Sequence, residues 1–513
     1  MAFNWEVVHG GKTPPPGEVV RPNERLSWPR TIGLGAQHVV AMFGATFVFP
    51  IIMGLNANVA IMFSGVATII FLLIVNGKVP SYLGTSASFV AGVAAIRAQG
   101  GDSSDVTGAI LVAGVVLALV GVFVHFAGAA LVHRVLPPAV TGAVVMLIGF
   151  NLAPVVAGVY WPQDQWVGLL TMLAVILMTV LLKGFWSRIA IFLGLIFGYL
   201  LSWLFDGIFG QITSFDPAAG KETLHDRVNW AGVKAADWVG LPDSTFVNAD
   251  GQEVAGFHAP TFSMTFILLV LPSVIALIAE NTGHVKAVAE MTGDDLDPYL
   301  GRALTGDGVG TTIASAFGGS PTTTYAENIG VMAATRVYST AAYYVAAVVA
   351  ILFGFFPKFG AIINATPGGV LGGITVVLYG MIGLLGAKIW VENRVDFANP
   401  INLVPLAAGI ILGVGNVTLE ITDDFSLGGI AFGTIVAIGA YHLVRVLAPQ
   451  YMRDALLPGR GYEDGTAIAV GHAGEHTALG EGVREGVGQR VDVSDRSHDP
   501  EHPDYPHGGG RTP

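Results

Sequence analysis

The stretches SYLGTSASFV (Ser81–Val90) and GGSPTTTYAENIGV (Gly318–Val331) decide how this chain folds. Both are rich in glycine, serine and threonine, both follow a full-length apolar segment, and they hold comparable places in the two halves of the chain. A bilayer tolerates non-helical backbone only where protein or a water-filled cavity covers it. Two short, interrupted membrane segments in matching positions therefore indicate a cavity between two repeats.

The composition is typical of a membrane protein. Hydrophobic residues make up 52% of the chain and charged residues only 12%, whereas soluble domains carry about 25% charged residues. The chain contains no cysteine, which excludes disulfides, thiolate metal sites and cysteine nucleophiles. It has no basic patch for binding nucleic acid. The net charge of −12 comes largely from one polar loop and the tail, so it says little about ligands.

The apolar runs predict fourteen membrane segments, seven before and seven after a long polar loop, because a span needs roughly 20 residues. Their predicted bounds are 31–54, 58–76, 81–96, 106–132, 138–158, 166–184, 188–207, 262–282, 302–318, 321–335, 337–356, 366–386, 398–415 and 426–447. An odd number of segments in each half inverts the second half relative to the first. The predicted fold is therefore an all-α integral membrane protein built as an inverted seven-plus-seven repeat.

The distribution of lysine and arginine predicts the orientation. With the N-terminus inside, the short outside loops hold only Arg97 and Lys358, as the positive-inside rule requires. Both termini are then cytoplasmic. The tail has low hydrophobicity and is predicted to be disordered, and its histidines match no metal-ligand spacing. The predicted organisation is a cytoplasmic segment 1–30, a first repeat 31–207, an extracytoplasmic loop 208–261, a second repeat 262–447 and a cytoplasmic tail 448–513.

Glu327 is the strongest candidate for a binding residue. It lies beside Asn328 in a segment too short and too rich in β-formers to cross the membrane as a regular helix. Extended backbone there would direct amide N–H and C=O groups into a central cavity, where they suit a planar heterocycle with alternating donors and acceptors. A carboxylate is well suited to accept two N–H bonds. The alternative is a buried glutamate satisfied by neighbouring helix ends.

Glu280 and His284 form a second candidate pair. They follow the apolar run FILLVLPSVIALIA and lie four residues apart, which puts both on one helix face. A carboxylate beside an imidazole can change its proton occupancy near neutral pH. The alternative is that both residues are wetted at the cytoplasmic end of the helix.

Three further polar residues lie within apolar segments. Gln37 and His38 occur early in the first segment, where they either line the site or brace two helices through side-chain hydrogen bonds. Asp307 lies inside the ninth segment and needs a partner, because a charged side chain in the membrane is expensive. Support of a neighbouring site helix and direct ligand contact are both open for Asp307.

Residues 327–336 read ENIGVMAATR. They match in full the signature of the nucleobase–ascorbate transporter family of nucleobase–cation symporters, which reads Gln, Glu or Pro, then Asn, any residue, Gly, four variable residues, Thr and a basic or small residue. IAENTGH at 278–284, the pair at 37–38 and the GTS of residues 84–86 fit the same family. Over residues 25–450 the chain resembles this family, and within it the bacterial uracil permease branch.

The resemblance implies a secondary active transporter of the plasma membrane rather than an enzyme. It would import uracil by proton symport and alternating access. Segments one to four and eight to eleven would form a core domain, and the other six a gate domain through which homodimers form. The third and tenth segments would be part β-strand and part helix. Apart from the proton as coupling ion, the resemblance implies no cofactor and no metal.

The resemblance also implies roles for individual residues. Glu280 and Glu327 would hydrogen-bond the base, and His284 together with Glu280 would couple binding to proton movement. The remaining roles are backbone contacts near Ala87 and Ala326, a pocket wall at Tyr325, and support from Gln37, His38, Asn328 and Asp307.

Two departures from the uracil permease pattern keep a second substrate class open. Glu327 stands where purine-selective members typically carry Gln, which favours uracil. Ala87 replaces an expected Phe, however, and Ala326 replaces a Gly. The larger pocket at Ala87 leaves room for a purine, so a xanthine or urate permease is the first alternative. An anion transporter of the same fold is the second, but it would want a positive site at the half-helix N-termini, where this chain offers carboxylates.

Overall fold

The computed structural model of the chain describes residues 4–216, 221–243, 245–247, 253–422, 425–454 and 456. Most of the tail predicted over 448–513 lies outside these residues. The helices of the first half are α1 (Trp28–Ile52), α2 (Ala57–Ile74), α3 (Val90–Ala98), α4 (Ser103–Ala127), α5 (Ala129–Val135), α6 (Pro138–Phe150), α7 (Ala153–Val155), α8 (Gln165–Leu181), α9 (Phe185–Arg188) and α10 (Ala190–Phe209).

The second half repeats this pattern after a loop that contains one short helix. The loop helix and the helices that follow it are α11 (Ala231–Ala235), α12 (Met264–Val270), α13 (Ser273–Thr292), α14 (Leu300–Ala316), α15 (Ala326–Thr335), α16 (Thr340–Gly354), α17 (Pro357–Asn364), α18 (Gly368–Glu392), α19 (Pro400–Val414), α20 (Gly429–Leu447) and α21 (Gln450–Asp454).

Short strands complete the described structure. They are β1 (Glu6–Val7), β2 (Glu24–Arg25), β3 (Leu83–Thr85), β4 (Ile212–Asp216), β5 (Lys221–His225), β6 (Phe246–Val247), β7 (Glu253–Val254), β8 (Thr322–Thr324), β9 (Thr418–Thr422) and β10 (Phe425–Gly428). β1 and β2 pair in parallel, whereas β3 with β8, β4 with β5, β6 with β7 and β9 with β10 pair antiparallel. Among the strand pairs of the described residues, β3 with β8 is the one that joins the two halves of the chain.

Polar residues cap the N-termini of several helices. At α4 the Asp102 side chain accepts a hydrogen bond from the Asp105 backbone N–H at 3.0 Å. The Asp105 side chain in turn accepts one from the Asp102 backbone N–H at 3.2 Å. Asn56, Asp164 and Asn399 cap α2, α8 and α19 through their side-chain oxygens. These caps satisfy the first amide groups of each helix, which have no partner within the helix.

One predicted segment boundary is wrong. The eighth segment was expected to end near residue 282, but α13 continues to Thr292 because Val285 and Val288 keep a buried face beyond the apolar run. Glu280 and His284 therefore lie in the middle of a helix rather than at its end. The fifth segment, predicted over 138–158, lies within one candidate span, Pro138–Gln163, in which α6 is followed by α7 and a π-turn at Val156–Tyr160.

The count of fourteen crossings stays a prediction. Within the described residues, eight helices are long and apolar enough to span a membrane, or nine if α16 and α17, bent by 83°, count as one. Three shorter apolar helices, at 87–98, 165–181 and 400–414, fall below that length.

Close helix packing divides the helices into two groups. In one group α14 packs on α4 and α2, and in the other α18 packs on α6 and α8. Glycines make both contacts possible, because a Cβ at Gly121 or Gly308 would collide with the facing backbone of α14 or α4. The same is true of Gly149 and Gly386 between α6 and α18. Small residues of this kind let membrane helices approach closely.

Candidate functional site

The two interrupted segments meet through their strands. β3 and β8 pair antiparallel with Leu83 opposite Thr324, Gly84 opposite Thr323 and Thr85 opposite Thr322. One further backbone bond flanks the pair on each side: Ser86 N–H donates to Pro321 O at 2.9 Å, and Tyr325 N–H donates to Tyr82 O at 3.0 Å. Segments separated by more than 200 residues of sequence are thereby joined about a local two-fold axis.

Threonines on neighbouring helices satisfy the outer edges of this small sheet. Thr68 on α2 accepts a bond from Leu83 N–H at 2.9 Å, and Thr311 on α14 accepts one from Thr322 N–H at 3.0 Å. A two-stranded sheet leaves such edge amides unpaired, and an unpaired amide in the membrane costs several kcal/mol. The two threonines therefore let extended backbone persist among helices.

Each strand leads directly into a short helix whose first residue is at least partly exposed. After β3 a 3₁₀ turn begins at the half-buried Ala87 and continues into α3. After β8, α15 begins at Ala326, which is exposed. The first amide groups of a helix have no partner within the helix. Two sets of N–H donors and two positive helix ends thus approach the same region from opposite sides.

Both predicted carboxylates lie at this region. Glu327 is in the first turn of α15 and Glu280 is on α13, and both are half-buried. They are near enough for their charges to interact. Gly330, one turn beyond Glu327, faces open space, since a Cβ placed there would meet no atom within 4 Å. The arrangement offers carboxylate acceptors and backbone donors to one small polar molecule.

The side chains of α13 reach both interrupted segments. Glu280 accepts a hydrogen bond from Ser88 Oγ at 3.3 Å, which links α13 to the first repeat. His284 Nδ1 lies 2.8 Å from Thr324 Oγ1, which links α13 to the second repeat. The two residues share a helix face, as expected from their spacing, but their hydrogen-bond partners belong to different repeats. A change of charge on Glu280 or His284 would therefore alter a hydrogen bond to one of the two interrupted segments.

Tyr325 lies behind the open region. Its side chain is only 4% exposed, and its hydroxyl donates to Thr85 O at 2.8 Å and accepts from Thr46 Oγ1 at 3.2 Å. The ring packs over Gly84, where a Cβ would come within 2.7 Å of it. Tyr325 therefore joins β8 to β3 and α1, and its predicted part in the pocket wall stays a prediction.

His38 and Asn328 form a buried contact between α1 and α15. Asn328 Nδ2 donates to His38 O at 3.0 Å and lies 3.2 Å from His38 Nδ1. The ring of Tyr343 lies 4.4 Å from the imidazole. This contact braces the half-helix that carries Glu327. Gln37 precedes His38 on α1 and is half-buried.

Asp307 is buried behind the strand pair rather than at its open side. It accepts a hydrogen bond from Asn281 Nδ2 and lies against the backbone of Thr324. It therefore connects α14 to α13 and β8, the elements that carry the site. Among the residues that the structure describes, no cluster of three or more His, Asp or Glu is placed to hold a metal ion.

Three hydrogen-bond partners in the site were not anticipated from the sequence. Ser88 and Thr324 bond to the α13 side chains, and Thr311 holds the edge of β8. Their hydroxyls resemble many others in the chain, so composition does not distinguish them. Ser88, however, can be related to Glu327 by the internal repeat. Gly84 pairs with Thr323, which lies 239 positions later, and Glu327 lies 239 positions after Ser88. An alignment of the two repeats would have identified Ser88 as the counterpart of Glu327.

Comparison with known proteins places this architecture in one family. A model described as Permease family matches residues 29–422. RutG of Escherichia coli (strain K12), a pyrimidine permease by name, is 42% identical over 427 residues, which covers 82% of this chain and 90% of RutG. The uracil permease of Bacillus caldolyticus is 35% identical over 439 residues, covering 84% and 92%. The uracil permease of E. coli (strain K12) is 34% identical over 444 residues, covering 83% and 95%.

Solved structures show the same fold at low sequence identity. The transmembrane domain of the cyanobacterium bicarbonate transporter BicA matches 80% of this chain and 96% of its own, with a TM-score of 0.53 and 14% identity. The murine anion transporter Slc26a9 in its inward-facing state matches 82% of this chain and 68% of its own, with a TM-score of 0.58 and 10% identity. These likenesses concern the fold alone, and they confirm the all-α membrane architecture with an inverted seven-plus-seven repeat.

Three observations indicate the same family of membrane transporters. They are the sequence motif at residues 327–336, the paired strand-and-helix units and the matched relatives. The chain is a multi-pass membrane transporter and not an enzyme. It belongs to the permease family of nucleobase–ascorbate transporters.

Proposed function

We propose that this protein imports a nucleobase, and uracil in particular, by proton symport. The observation that carries the proposal is the meeting of two half-helix N-termini with two carboxylates, Glu280 and Glu327, in one accessible region. Relatives that cover most of the chain are named as uracil or pyrimidine permeases. The chemistry of the region supports the same substrate.

Uracil presents two N–H groups and two carbonyl oxygens around a planar ring. The carboxylate of Glu327 would accept N–H bonds from the base, and Glu280 would accept a further one or act through Ser88. Backbone N–H groups near Ala87 and Ala326 would donate to the carbonyl oxygens, because the first amide groups of a helix have no partner within the helix. The Ser88 N–H is already bonded to Ser86 Oγ at 3.3 Å. Charge-assisted bonds of this kind are about twice as strong as neutral ones.

An anion is a poor fit for the same region. Two carboxylates would repel it, and the arginines of the half-helices lie at their far ends. Arg336 is nine residues beyond Glu327, which is about 13 Å along a helix. The solved anion transporters share only the fold. A purine remains the alternative substrate, because Ala87 is small and half-buried.

Alternating access would arise from movement between a core domain and a gate domain. The helices pack in two groups that match this division: α4, α2 and α16 with α14 and α1 in the core, and α6, α8 and α10 with α18 in the gate. α19 and α20 pack on each other and on α6, which supports placing them in the gate as well. The site elements β3, β8 and α13 belong to the core, so the substrate would move with that domain.

Proton coupling would depend on Glu280 and His284. A proton on either residue changes how well Glu280 accepts a bond from the base, and differential affinity between protonation states is what coupling requires. The contacts of Glu280 with Ser88 and of His284 with Thr324 would transmit that change to both half-sites. The proton would serve as the coupling ion, and we expect no other cofactor.

The cellular arrangement is also proposed. We expect the protein in the plasma membrane with both termini in the cytoplasm, since the short loops of the opposite face carry only Arg97 and Lys358. A homodimer through the gate domain is the expected assembly, by analogy with the fold.

A competition assay tests the substrate. Purified protein in liposomes, with an acidic exterior, should accumulate labelled uracil. Excess unlabelled uracil should abolish uptake, xanthine or urate should compete weakly, and sulfate should have no effect. Stronger competition by xanthine than by uracil would establish the purine alternative, and competition by sulfate would overturn nucleobase transport.

A further inference from the structure

Each half-helix of the site ends at an arginine in an equivalent position. The strand register pairs Gly84 with Thr323, 239 positions later, and Arg336 stands 239 positions after Arg97. Arg97 lies in the last turn of α3, and Arg336 is the residue that ends α15. Because the two units are antiparallel, the two arginines lie at opposite ends of the core.

Arg97 joins the end of α3 to the chain around it. Its Nη2 donates to Gly54 O at 2.7 Å and to Ser103 Oγ at 3.1 Å. Gly54 follows α1, and Ser103 begins α4. Ser103 Oγ in turn donates to Glu253 O at 3.1 Å, in the long loop between the repeats. A single half-buried side chain thus holds α3 to two membrane helices and, through Ser103, to the loop.

Arg336 makes the corresponding contacts with the N-terminal segment. Its Nη1 donates to Pro15 O at 2.8 Å and its Nη2 to Pro14 O at 3.2 Å. Its backbone carbonyl accepts a bond from Val20 N–H at 2.9 Å, and Tyr338 N–H returns one to Val20 O at 2.8 Å. The segment before α1 is therefore fastened to the end of the helix that begins with Glu327.

The position of these arginines suits their chemistry. The C-terminal end of a helix carries a partial negative charge and free carbonyls, so a cation there is favourable. A guanidinium has five donors in a rigid fork and keeps its charge, which lets it bind several carbonyls together. Arg336 binds two carbonyls in this way, and Arg97 binds the Gly54 carbonyl together with the Ser103 hydroxyl.

The half-helices are short, so a small tilt at the C-terminal end displaces the N-terminal end that faces the site. α3 has 9 residues and α15 has 10, and helices this short are marginally stable by themselves. A helix of about 10 residues is roughly 15 Å long, so a tilt of about 4° at one end displaces the other by about 1 Å. A displacement of about 1 Å at a binding or reacting group can cost about a hundred-fold in function.

We propose that Arg97 and Arg336 are a symmetry-related pair of positioning residues, which hold the C-terminal ends of α3 and α15 and thereby aim their N-termini at the substrate. The proposal rests on the proposed function for the substrate alone. Arg336 acts through the N-terminal segment, which becomes part of the transport machinery. Arg97 acts through α1, α4 and the long loop.

The first test measures uracil affinity. Arg336→Ala should raise the Kd for uracil about ten-fold in calorimetry of the purified, monodisperse protein, and Arg336→Lys should restore part of the loss. Deletion of residues 4–20 should have an effect of similar size. Combining the deletion with Arg336→Ala should add nothing further, because both remove the same contact. Arg21→Ala, an exposed arginine of the same segment, is the matched control and should leave Kd unchanged.

The second test needs no substrate. The chain has no cysteine, so Ala326→Cys introduces a single thiol at the exposed start of α15. Its maleimide labelling rate in detergent should change several-fold when Arg336→Ala is added and should not change with Arg21→Ala. If the parent protein fails to bind uracil while labelling still responds to Arg336, the proposed function is wrong and the positioning role stands. If Kd and labelling are both unchanged in Arg336→Ala, or in Arg336→Lys should the alanine variant not fold, the positioning role is wrong.

Discussion

The strand-and-helix unit at residues 83–98 and its counterpart at 322–335 share a backbone but differ in chemistry. Both strands donate an edge amide to a threonine, Thr68 in one case and Thr311 in the other. Both lead into a half-helix whose first residue is an alanine, Ala87 or Ala326, counting the 3₁₀ turn that precedes α3. The next position is Ser88 in the first unit and Glu327 in the second.

This difference indicates how an inverted repeat can bind an asymmetric molecule. The backbone supplies N–H donors from both sides, and these are insensitive to sequence. Of the two units, only the second carries a carboxylate at this position, Glu327, and we expect this carboxylate to determine which edge of the ligand faces which repeat. Ser88, at the equivalent position of the first unit, carries no charge, and its hydroxyl donates a hydrogen bond to Glu280 at 3.3 Å. We therefore propose that the first unit positions α13 through Ser88 and that the second unit recognises the substrate through Glu327.

Removing the carboxylate of Glu327 should have the largest effect on uracil affinity. In Glu327→Ala the base would lose two charge-assisted hydrogen bonds, each of about 1.5–3 kcal/mol, so uracil affinity should fall at least about a hundred-fold. Calorimetry with purified protein measures this directly. Glu290→Ala removes an exposed carboxylate further along α13 and should bind uracil as the parent does. Parental affinity in Glu327→Ala would mean that the second unit does not recognise the base.

Loss of His284 should separate binding from accumulation. His284→Ala removes a titratable group that contacts β8 through Thr324 but leaves both carboxylates in place. Uracil binding should be retained or fall modestly, whereas uptake against a concentration gradient should fail and the pH dependence of uptake should flatten. The comparison is between counterflow, which needs only binding and exchange, and proton-driven uptake in liposomes.

His125→Ala is the control for that experiment, because His125 is exposed on α4 and should leave both activities intact. Concentrative uptake in His284→Ala with the parental pH profile, or uptake that requires sodium, would exclude this coupling mechanism.

A neutral replacement of Glu327 should change the selectivity between uracil and xanthine. Glu327→Gln converts one acceptor oxygen into an N–H donor that faces the N–H of the base, so uracil should bind about ten-fold more weakly, in line with the loss of one charge-assisted bond. Xanthine should suffer less, and the uracil-to-xanthine competition ratio should fall accordingly. Glu290→Gln is the matched control. An unchanged ratio would remove the argument that Glu327 selects for uracil.

Much of the fold was predictable because long apolar runs are unambiguous. The second segment, predicted at 58–76, is Ala57–Ile74 in the structure, and the sixth, predicted at 166–184, is Gln165–Leu181. The prediction failed where hydropathy and packing diverge. α13 extends past its apolar run because Val285 and Val288 are buried against other helices.

The site was predictable only in part. Glu327, Glu280 and His284 stood out because ionisable residues are rare in such segments. Their hydrogen-bond partners were not predictable, since Ser88 and Thr324 reach α13 only after the two halves of the chain have paired. The contacts of Arg336 with Pro14 and Pro15 span more than 300 residues, and nothing in the local sequence indicates them.

The smallest effect is expected from the position opposite Glu327. Ser88→Ala removes the hydroxyl that donates to Glu280, and a single hydrogen bond of this kind contributes about 0.5–1.5 kcal/mol. Uracil affinity should therefore fall by only about two- to ten-fold, and the accumulation ratio at saturating uracil should stay at the parental value because His284 is untouched. Ser81→Ala is the matched control, since Ser81 is buried two residues before that unit begins and its hydroxyl has no hydrogen-bond partner among the described residues. If Ser88→Ala instead abolished binding as Glu327→Ala does, the two units would contribute equally to recognition, and the division of roles between them would be wrong.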